Sequence, residues 1–406
     1  MTFIKRQTIL FQPGPIHLFW TTGVYYIFSL KKEYDFVLLV SDNYRYNEKF
    51  NRIIEIPEIL EVVYESTSSK SVNNFRSLYI SYCSLLKKYN PPVMYMHNYC
   101  YLQNQYLLSA ASKCAPNVLI NFYQNGQQLS DSGEDYDLRH KDSIYKLKNR
   151  LPIFFSWVPL AAISFYIKTR SNISYLLSYK LFAFLVTRDI FKPEINPYTG
   201  KFYRYKAKPT YKKLSQVYLT YSDLEKKISE SHNVDNIRVV HHPVKESWQD
   251  VYEYFIGNYK LKNQILILPS RGFLESRALA QQDLKILVDQ VCETWIGIIK
   301  FLSIKHGKLP IKIKLHPSDS GQIWNKILIK LSAAMQLDII AKHVAAEFLI
   351  MESTVIVGDV SSALWWASML GNKKVYSFDL FGYNFGDEMA MYKPAITYVN
   401  DICCIS

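Results

Sequence analysis

The segment that most constrains this chain lies near its C-terminus, where a strand-like run, a turn, two hydroxyls and an apolar helix follow one another. The β-branched run 355–357 leads into Gly358 and Asp359, and Ser361 and Ser362 fall where a helix N-cap is expected. Such a strand–loop–helix unit offers hydroxyls and free backbone N–H groups to an anion. An ordinary N-cap with a spare serine would produce the same pattern, so the segment alone leaves both interpretations open.

A second strand-like segment, further upstream, delivers a histidine to its end. Residues 311–315 alternate between aliphatic and lysine side chains, and His316 and Pro317 follow, where the proline prevents the strand from continuing. Ligands of open α/β sheets gather at the carboxyl ends of strands, so His316 is placed for chemistry. A structural histidine is the alternative, and the serine pair at another strand end favours the chemical role.

These segments resemble the bacterial sialyltransferases of the GT-B fold, including the polysialyltransferase and lipooligosaccharide sialyltransferase families. The family signatures are an acidic-acidic-Gly motif in the N-terminal domain, then His-Pro, then Ser-Ser or Ser-Thr in the C-terminal domain. The last two are present here in that order, as His316-Pro317 and Ser361-Ser362. Residues 345–350 also resemble the family segment whose glutamate, here Glu347, contacts the nucleotide ribose. The resemblance covers mainly residues 265–380.

The resemblance implies an α/β protein of the GT-B class, with two Rossmann-like domains facing a central cleft. It implies inverting transfer of sialic acid, or a related nonulosonate, from a CMP-activated donor to a hydroxyl of a glycan or glycolipid. Such an enzyme would act in the synthesis of a bacterial surface polysaccharide, such as capsule or lipopolysaccharide.

The resemblance also implies roles for the site residues. His316, with Pro317 beside it, would contact the CMP phosphate and stabilise the charge that develops as CMP leaves. Ser361 and Ser362 would hold the same phosphate or the sugar carboxylate, and Glu347 would accept hydrogen bonds from the ribose. This scheme needs neither a metal nor another cofactor, because the histidine, the hydroxyls and the helix dipole supply the positive field.

The first family signature is missing from this sequence. The predicted strand 117–123 leads into Gln124, Asn125 and Gly126, so amides stand where the family carries carboxylates. An amide has no basic form near neutral pH and cannot take a proton from an acceptor hydroxyl. Asp131 and Glu134 follow within the same loop and are the leading replacements, with Glu134 preferred because its neighbouring glycine lets the backbone turn inward. A solvated polar loop is the alternative.

Further candidates lie at the ends of three more predicted strands. His17 follows the first strand and His97 ends the strand 93–97, where both would line the acceptor side or serve as structural histidines. The buried strand 264–268 leads into a turn that would contact the donor phosphate or base, or would form a plain strand-to-helix loop. The residues of that turn chosen as donor-binding are Ser270, Arg271 and Gly272.

The length of 406 residues predicts two domains. We expect an N-terminal acceptor-side domain over 1–250 and a C-terminal nucleotide-sugar-binding domain over 251–406. Within the first, residues 150–213 differ in character: 151–167 is uncharged but contains two prolines and is short for a bilayer span, and a basic, aromatic stretch follows it. This insertion predicts either contact with an anionic membrane or internal packing followed by a solvated linker face.

Charge and cysteine content limit the partners. The formal net charge of +13 suits an anionic donor, an acidic glycan or an anionic membrane, whereas no recognisable nucleic-acid module accompanies it. The six cysteines lack metal-ligand spacing and predict reduced thiols. No signal peptide opens the sequence, so we expect a cytoplasmic protein, with peripheral attachment to the inner face of the membrane as the variant.

Two different functions remain open. A GT-B transferase for Kdo or a UDP-activated hexose would use the same fold with another donor. A non-catalytic glycan-binding or assembly protein is the second alternative, and the missing acidic motif is the best argument for it.

Overall fold

The computed structural model describes residues 6–14, 16, 19–65, 72–97, 102–123, 192–195, 202–206, 214–231, 236–269, 284–315, 322–331, 337–341, 344–358, 362–378 and 396–399. The chain divides into two compact units, Met1–Pro243 and Val244–Ser406. The boundary expected from the sequence, between residues 250 and 251, falls inside the helix Val244–Ile256 at the start of the second unit.

The first unit is built on a seven-stranded sheet with every neighbouring pair parallel, in the order β3-β2-β1-β4-β5-β8-β9. A separate antiparallel hairpin, β6-β7, lies in the sequence between β5 and β8. The strands of this unit are β1 (Gln7–Gln12), β2 (Tyr34–Ser41), β3 (Ile59–Glu65), β4 (Val93–Met96), β5 (Leu119–Tyr123), β6 (Lys192–Ile195), β7 (Phe202–Lys206), β8 (Ser215–Thr220) and β9 (Ile237–Val239). The strand order reverses between β1 and β4, which is where α/β sheets of this kind bind ligands.

Helical segments connect these strands, as parallel pairing requires. They are a π-helical turn (Phe19–Gly23), α1 (Val24–Leu30), a 3-10 turn (Asp42–Tyr46), α2 (Glu48–Ile53), α3 (Val72–Tyr89), α4 (Leu102–Cys114) and α5 (Asp223–Ser231). The π-helical turn follows β1 and leads directly into α1. Single-turn π-helices are rare and are often found at functional sites.

The sheet of the first unit is buried on both faces, because its strands carry apolar residues at successive positions. On one face, Leu10, Val37 and Met94 pack with Tyr82 of α3 and Leu107 of α4 in one buried cluster. The opposite face is aromatic. The ring of Phe11 lies 5.6 Å from that of Tyr123 and 6.3 Å from those of Phe36 and Tyr26.

The second unit repeats this architecture with six parallel strands in the order β12-β11-β10-β13-β14-β15. Here the order reverses between β10 and β13. The strands are β10 (Lys262–Leu268), β11 (Ile311–Lys314), β12 (Leu337–Ile340), β13 (Ser353–Gly358), β14 (Lys374–Phe378) and β15 (Thr397–Val399). The helices are α6 (Val244–Ile256), α7 (Leu284–Lys305), α8 (Gln322–Lys330), α9 (Ala346–Glu352) and α10 (Ser362–Ser368).

The core of the second unit lies between one face of this sheet and the long helix α7. Ile265, Ile313 and Val357 point to that face and pack with Trp295 and Trp324, whose ring centroids are 5.2 Å apart. Helices α9 and α10 pack against the sheet through β10 and β13, and β13 and β14, respectively.

No helix in the part of the chain that the structure describes is both long and apolar enough to cross a membrane. The uncharged stretch 151–167 and the lysines at 208, 212 and 213 lie outside the described residues. Of the basic segment, the structure describes only the backbone of β7, which includes Lys206.

Candidate functional site

Three neighbouring strands of the second unit end together at the carboxyl edge of its sheet. β11, β10 and β13 lie side by side in parallel, with Ile267 paired to Ile313 on one side and Leu268 to Gly358 on the other. In the sequence, these strands precede the donor-binding segments predicted at 270–272, 316–317 and 361–362. The strand order reverses between β10 and β13. Two of the predicted segments, 270–272 and 361–362, follow these two strands in the sequence, where ligands of such sheets bind.

Gly358, the last residue of β13, allows these two strands to meet closely at this edge. A Cβ atom at this position would lie 2.7 Å from the carbonyl oxygen of Leu268 and 3.4 Å from Cδ2 of Leu364. The first distance is shorter than the contacts that Cβ atoms make in proteins, so only glycine fits here without a shift of the backbone. The sequence predicted that a turn begins at Gly358, whereas in the structure this glycine is still the last residue of the strand.

Two of the predicted donor-binding residues lie in the described part of the second unit. Glu347 is in the first turn of α9 and is partly buried. Ser362 is the first residue of α10, which continues to Ser368, before the turn that contains Gly371 at φ +74°. The predicted strand and helix are confirmed as β13 and α10, and residues 359–361 between them lie outside the described residues. Ser270, Arg271, Gly272, His316, Pro317 and Ser361 lie outside the described residues.

A buried lysine ends β11 at the same edge. The Lys314 side chain is only 5% exposed, and its Nζ donates a hydrogen bond to the carbonyl oxygen of Leu315 at 3.0 Å. Lys312, two residues earlier on the same strand, is less buried. Buried ammonium groups are rare in proteins, and this one adds positive charge two residues before His316.

The amino edge of the same sheet holds a different group of polar residues. The buried carboxylate of Glu352 accepts hydrogen bonds from the Tyr252 hydroxyl, at 2.7 Å, and from Lys262. Lys373 Nζ donates to the carbonyl oxygens of Met351, at 2.6 Å, and Ser353, at 2.9 Å, and burial lowers the pKa of this lysine to about 8. These contacts join α6, α9 and the start of β10, and so anchor the helix that carries Glu347.

At the carboxyl edge of the first unit, the structure brings together the ends of β1, β4 and β5. His97 follows β4 directly and is buried, with its ring at 68° to that of Tyr123 and 6.0 Å from it. The Tyr123 hydroxyl donates a hydrogen bond to the main-chain carbonyl of Gln12 at 3.0 Å. His97 is thus at the strand edge that the sequence predicted, within the packed interior of the unit.

The rest of the acceptor-side candidates follow strands whose ends are described. His17, Gln124, Asn125, Gly126, Asp131 and Glu134 lie outside the described residues. β5 ends at Tyr123, immediately before Gln124, and begins at Leu119 rather than at the predicted residue 117.

A buried carboxyl that the sequence did not single out ends β3 at this edge. Glu65 is 5% exposed, and its oxygens accept hydrogen bonds from Gln12 Nε2, at 3.4 Å each, and from the Tyr82 hydroxyl. Burial raises the pKa of Glu65 to about 7, against the two hydrogen bonds, which lower it. Its partners are 53 and 17 residues away in sequence, so no local pattern reveals the cluster.

A second buried polar cluster in the first unit involves the end of that unit and its π-helical turn. Thr22 Oγ1 lies 3.3 Å from Nε2 of His242, a residue that is 1% exposed. The His242 ring packs edge-on against that of Tyr221, whose hydroxyl is 3.2 Å from that of Tyr26. The sequence placed the end of the first domain near this histidine without predicting its burial.

The side chains that commonly bind metals are dispersed in the described part of the chain. Within the described ranges, no group of three or more His, Cys, Asp or Glu side chains is arranged to hold a metal ion. Cys83, Cys114 and Cys292 are not in disulfide bonds. The remaining three cysteines lie outside the described residues.

No family model matches the sequence, and no curated protein matches it. Solved structures do resemble it. The UDP-GlcNAc 2-epimerase from Methanocaldococcus jannaschii has a TM-score of 0.52 at 13% identity, over 97% of this chain and 89% of that one. The UDP-GlcNAc 2-epimerase from Neisseria meningitidis, bound to UDP-GlcNAc, has a TM-score of 0.48 at 12% identity, over 96% of this chain and 86% of that one. A glycosyltransferase from Rickettsia africae ESF-5 has a TM-score of 0.45 at 12% identity, over 98% and 86%.

At such identities, likeness to a solved structure reports on the fold. The two units, each with a parallel sheet whose order reverses at one point, together with the first of these likenesses, show a two-domain, Rossmann-like GT-B fold. The α/β GT-B class predicted from the sequence is confirmed.

Proposed function

We propose that the protein is a GT-B glycosyltransferase that moves a sugar from a nucleotide-activated donor to a glycan hydroxyl. The observation that carries the proposal is the carboxyl edge of the second sheet, where β11, β10 and β13 end side by side at the point of order reversal. The sequence continues from these strands into hydroxyl, arginine and histidine residues suited to a phosphate. A similarly folded protein, with a TM-score of 0.52, is named for UDP-GlcNAc, which is a nucleotide sugar.

The donor that we propose is a CMP-activated sialic acid or related nonulosonate. The support is the order of the His316-Pro317 and Ser361-Ser362 motifs, with Glu347 between them on α9. In this proposal His316 stabilises the phosphate charge as CMP leaves, the two serines and the start of α10 hold the phosphate or the sugar carboxylate, and Glu347 binds the ribose.

The acceptor side falls to the first unit in this proposal. Inverting transfer needs a proton acceptor near the attacking hydroxyl, and Gln124 and Asn125 cannot serve. Asp131 and Glu134 are the proposed bases, with His17 and His97 next. The acceptor is a glycan or glycolipid of a bacterial surface polysaccharide, and the basic stretch that includes Lys206 would hold the enzyme against the anionic inner face of the membrane.

A second candidate function is epimerisation of UDP-GlcNAc. The observation that favours it is the likeness in fold to an enzyme of that name, with a TM-score of 0.52. The same fold would also allow transfer of Kdo or of a hexose from UDP, and it would allow glycan binding without catalysis.

A donor screen by ligand-induced thermal shift separates these functions, because a ligand that binds the native state stabilises it by mass action. We expect CMP-sialic acid and CMP to raise the Tm, and UDP-GlcNAc, UDP-glucose and UDP to leave it unchanged. The double variant Ser361→Ala/Ser362→Ala should lose most of the CMP shift, since charge-assisted phosphate hydrogen bonds are lost. Stabilisation by UDP and UDP-GlcNAc alone would reject the CMP donor, and conversion of UDP-GlcNAc to its epimer would establish the second candidate.

A further inference from the structure

Four buried side chains join the carboxyl ends of three strands in the first unit. Gln12 Nε2 at the end of β1 lies 3.4 Å from each carboxyl oxygen of Glu65 at the end of β3. The Tyr82 hydroxyl of α3 donates to Glu65 Oε1. The Tyr123 hydroxyl at the end of β5 donates to the carbonyl oxygen of Gln12 at 3.0 Å. Gln12 therefore connects Glu65 on one side with Tyr123 on the other. We refer to these four residues as the edge network.

Every member of the edge network is buried. Gln12 is 6% exposed, and Tyr82 and Tyr123 are fully buried. In a medium of low dielectric constant, such hydrogen bonds are strong while they are satisfied, and an unsatisfied member is costly. Loss of one contact should therefore move the strand ends, because no solvent can replace it.

We propose that Glu65 is a positioning residue for the acceptor-side edge, which holds the ends of β1 and β5 in place through Gln12 and Tyr123. The proposal rests on the proposed glycosyltransferase function, in which the first unit carries the acceptor side. Glu65 itself need not contact a substrate, since it acts through its hydrogen-bonded neighbours.

We expect ionisation of Glu65 to loosen the edge network, because the cost of burying its charge outweighs the hydrogen bonds that Tyr82 and Gln12 donate to it. Burial raises the pKa of Glu65 to about 7, so the carboxyl is largely neutral in mildly acid solution and becomes a buried charge as the pH rises. Tyr82 has its own pKa raised well above the ordinary value by burial and by Glu65, so it stays neutral.

Two ion pairs lie on β3 and the elements next to it. On the 3-10 turn, Arg45 lies 3.3 Å from Asp42. At the opposite end of β3, Glu61 is 2.7 Å from Lys88 of α3. Glu61 accepts a hydrogen bond from a tyrosine of α3, as Glu65 does, but is less buried. It is therefore a matched control on the same strand.

The first test is the pH profile of transfer, with donor binding measured separately. We expect wild-type kcat to fall about 10-fold between pH 6.5 and 8.5 as Glu65 ionises. Glu65→Gln keeps a neutral side chain of the same shape and should remain active with little fall over this range. Glu65→Ala should lower kcat at every pH with the donor KM unchanged, and Glu61→Gln should behave as the wild type.

Loss of transfer at every pH in Glu65→Gln would overturn the proposal in favour of direct proton transfer by Glu65. A profile unchanged from that of the wild type would remove Glu65 from the reaction.

The second test does not depend on enzymatic activity. It therefore distinguishes failure of the positioning role of Glu65 from failure of the proposed glycosyltransferase function. Amide hydrogen exchange should accelerate about 10-fold at the ends of β1 and β5 in Glu65→Ala at pH 6.5, because local opening becomes easier. The same amides should exchange at the wild-type rate in Glu65→Gln and Glu61→Gln. Unchanged exchange in Glu65→Ala would overturn the positioning role, whatever the activity. If exchange changes as expected but the wild type transfers no sugar from any donor, the proposed glycosyltransferase function is wrong, whereas the positioning role of Glu65 is supported.

Discussion

The two parallel sheets reverse their strand order in the same way, but different groups lie at their carboxyl edges. In the first unit, the ends of β1, β3 and β5 are joined by buried polar side chains, with Glu65 and Gln12 in contact. In the second unit, the strands meet at Gly358, where no side chain fits, and Lys314 lies buried beside them. A shared architecture therefore does not assign the same chemistry to both edges, because chemistry depends on the side chains that each edge presents.

The side chains at the two edges suit different roles. A glycine and a buried cation suit the binding of an anionic donor, since they permit close backbone approach and supply positive charge. A buried, hydrogen-bonded carboxyl suits the positioning of strand ends. We therefore expect variants at the two edges to differ in both the size and the kind of their effect.

The largest effect is expected at the proposed donor edge. His316→Ala should lower transfer about 10²-fold to 10⁴-fold while thermal unfolding stays near that of the wild type, because a phosphate partner or acid is lost. Steady-state release of CMP measures this. His241→Ala, an exposed histidine of the first unit, is the control and should be fully active. Wild-type turnover in the His316 variant would remove this residue from the mechanism.

The next effect is on stability and belongs to the first unit. Folding raises the pKa of Glu65 from 4.5 to about 7, so its proton stabilises the native state at low pH, and this stabilisation is lost as the pH rises from 4.5 through 7. The loss amounts to about 3–4 kcal/mol at most, at about 1.4 kcal/mol per pKa unit. Urea unfolding at pH 5 and pH 8 should show it in the wild type and not in Glu65→Gln. Equal pH dependence of both proteins would contradict the raised pKa.

The amino edge of the second sheet should affect stability without affecting chemistry. Tyr252→Phe removes a 2.7 Å hydrogen bond to the buried Glu352 carboxylate, and should lower the free energy of unfolding by about 1–3 kcal/mol. Transfer at a temperature well below the Tm should be unchanged. A variant that kept its stability and lost transfer would show that this edge, too, takes part in catalysis.

The strands could be predicted from the sequence, whereas the edge network could not. Strands such as β2 and β10 could be predicted because their apolar runs are buried on both faces. A glycine such as Gly371, at φ +74°, is typical of the residues that follow a helix, here α10. The edge network could not be predicted, because Gln12, Glu65 and Tyr82 meet only through the tertiary fold. Lys314 was missed for a related reason: an Ile-Lys-Ile-Lys alternation is typical of a strand with one solvated face, whereas here the second lysine is covered.

Lys314 offers a finer test of the donor edge. Lys314→Met keeps the apolar stem but removes the charge, and should weaken binding of CMP-sialic acid about 10-fold, the usual scale for one hydrogen bond to a charged group. Isothermal titration calorimetry measures this. Lys312→Met, on the same strand, should bind as the wild type does. Equal affinities in both variants would place the donor anion away from Lys314.

The smallest effect is expected at Glu61, on the same strand as Glu65. The hydrogen bonds from Lys88 and Tyr89 lower the pKa of Glu61, so its contribution to stability is present at neutral pH and is lost as the pH falls below 4.5. Glu61→Gln should therefore change the Tm slightly at pH 7 and leave it unchanged in strong acid. A large change in Tm at pH 7 would show that the difference in exposure between Glu61 and Glu65 does not determine how much each contributes to stability.

The glycosyltransferase function can be tested by measuring acceptor-dependent release of CMP from CMP-sialic acid. We expect the purified protein to release CMP with an equal amount of sialylated product only when an acceptor glycan is present, and His316→Ala to do so at least about 10²-fold more slowly. Release of UDP from a UDP-sugar with the same acceptor would show that the donor is a UDP-sugar and would still support the glycosyltransferase function. Binding of a glycan without turnover of any nucleotide sugar would contradict the claim that this chain is a glycosyltransferase.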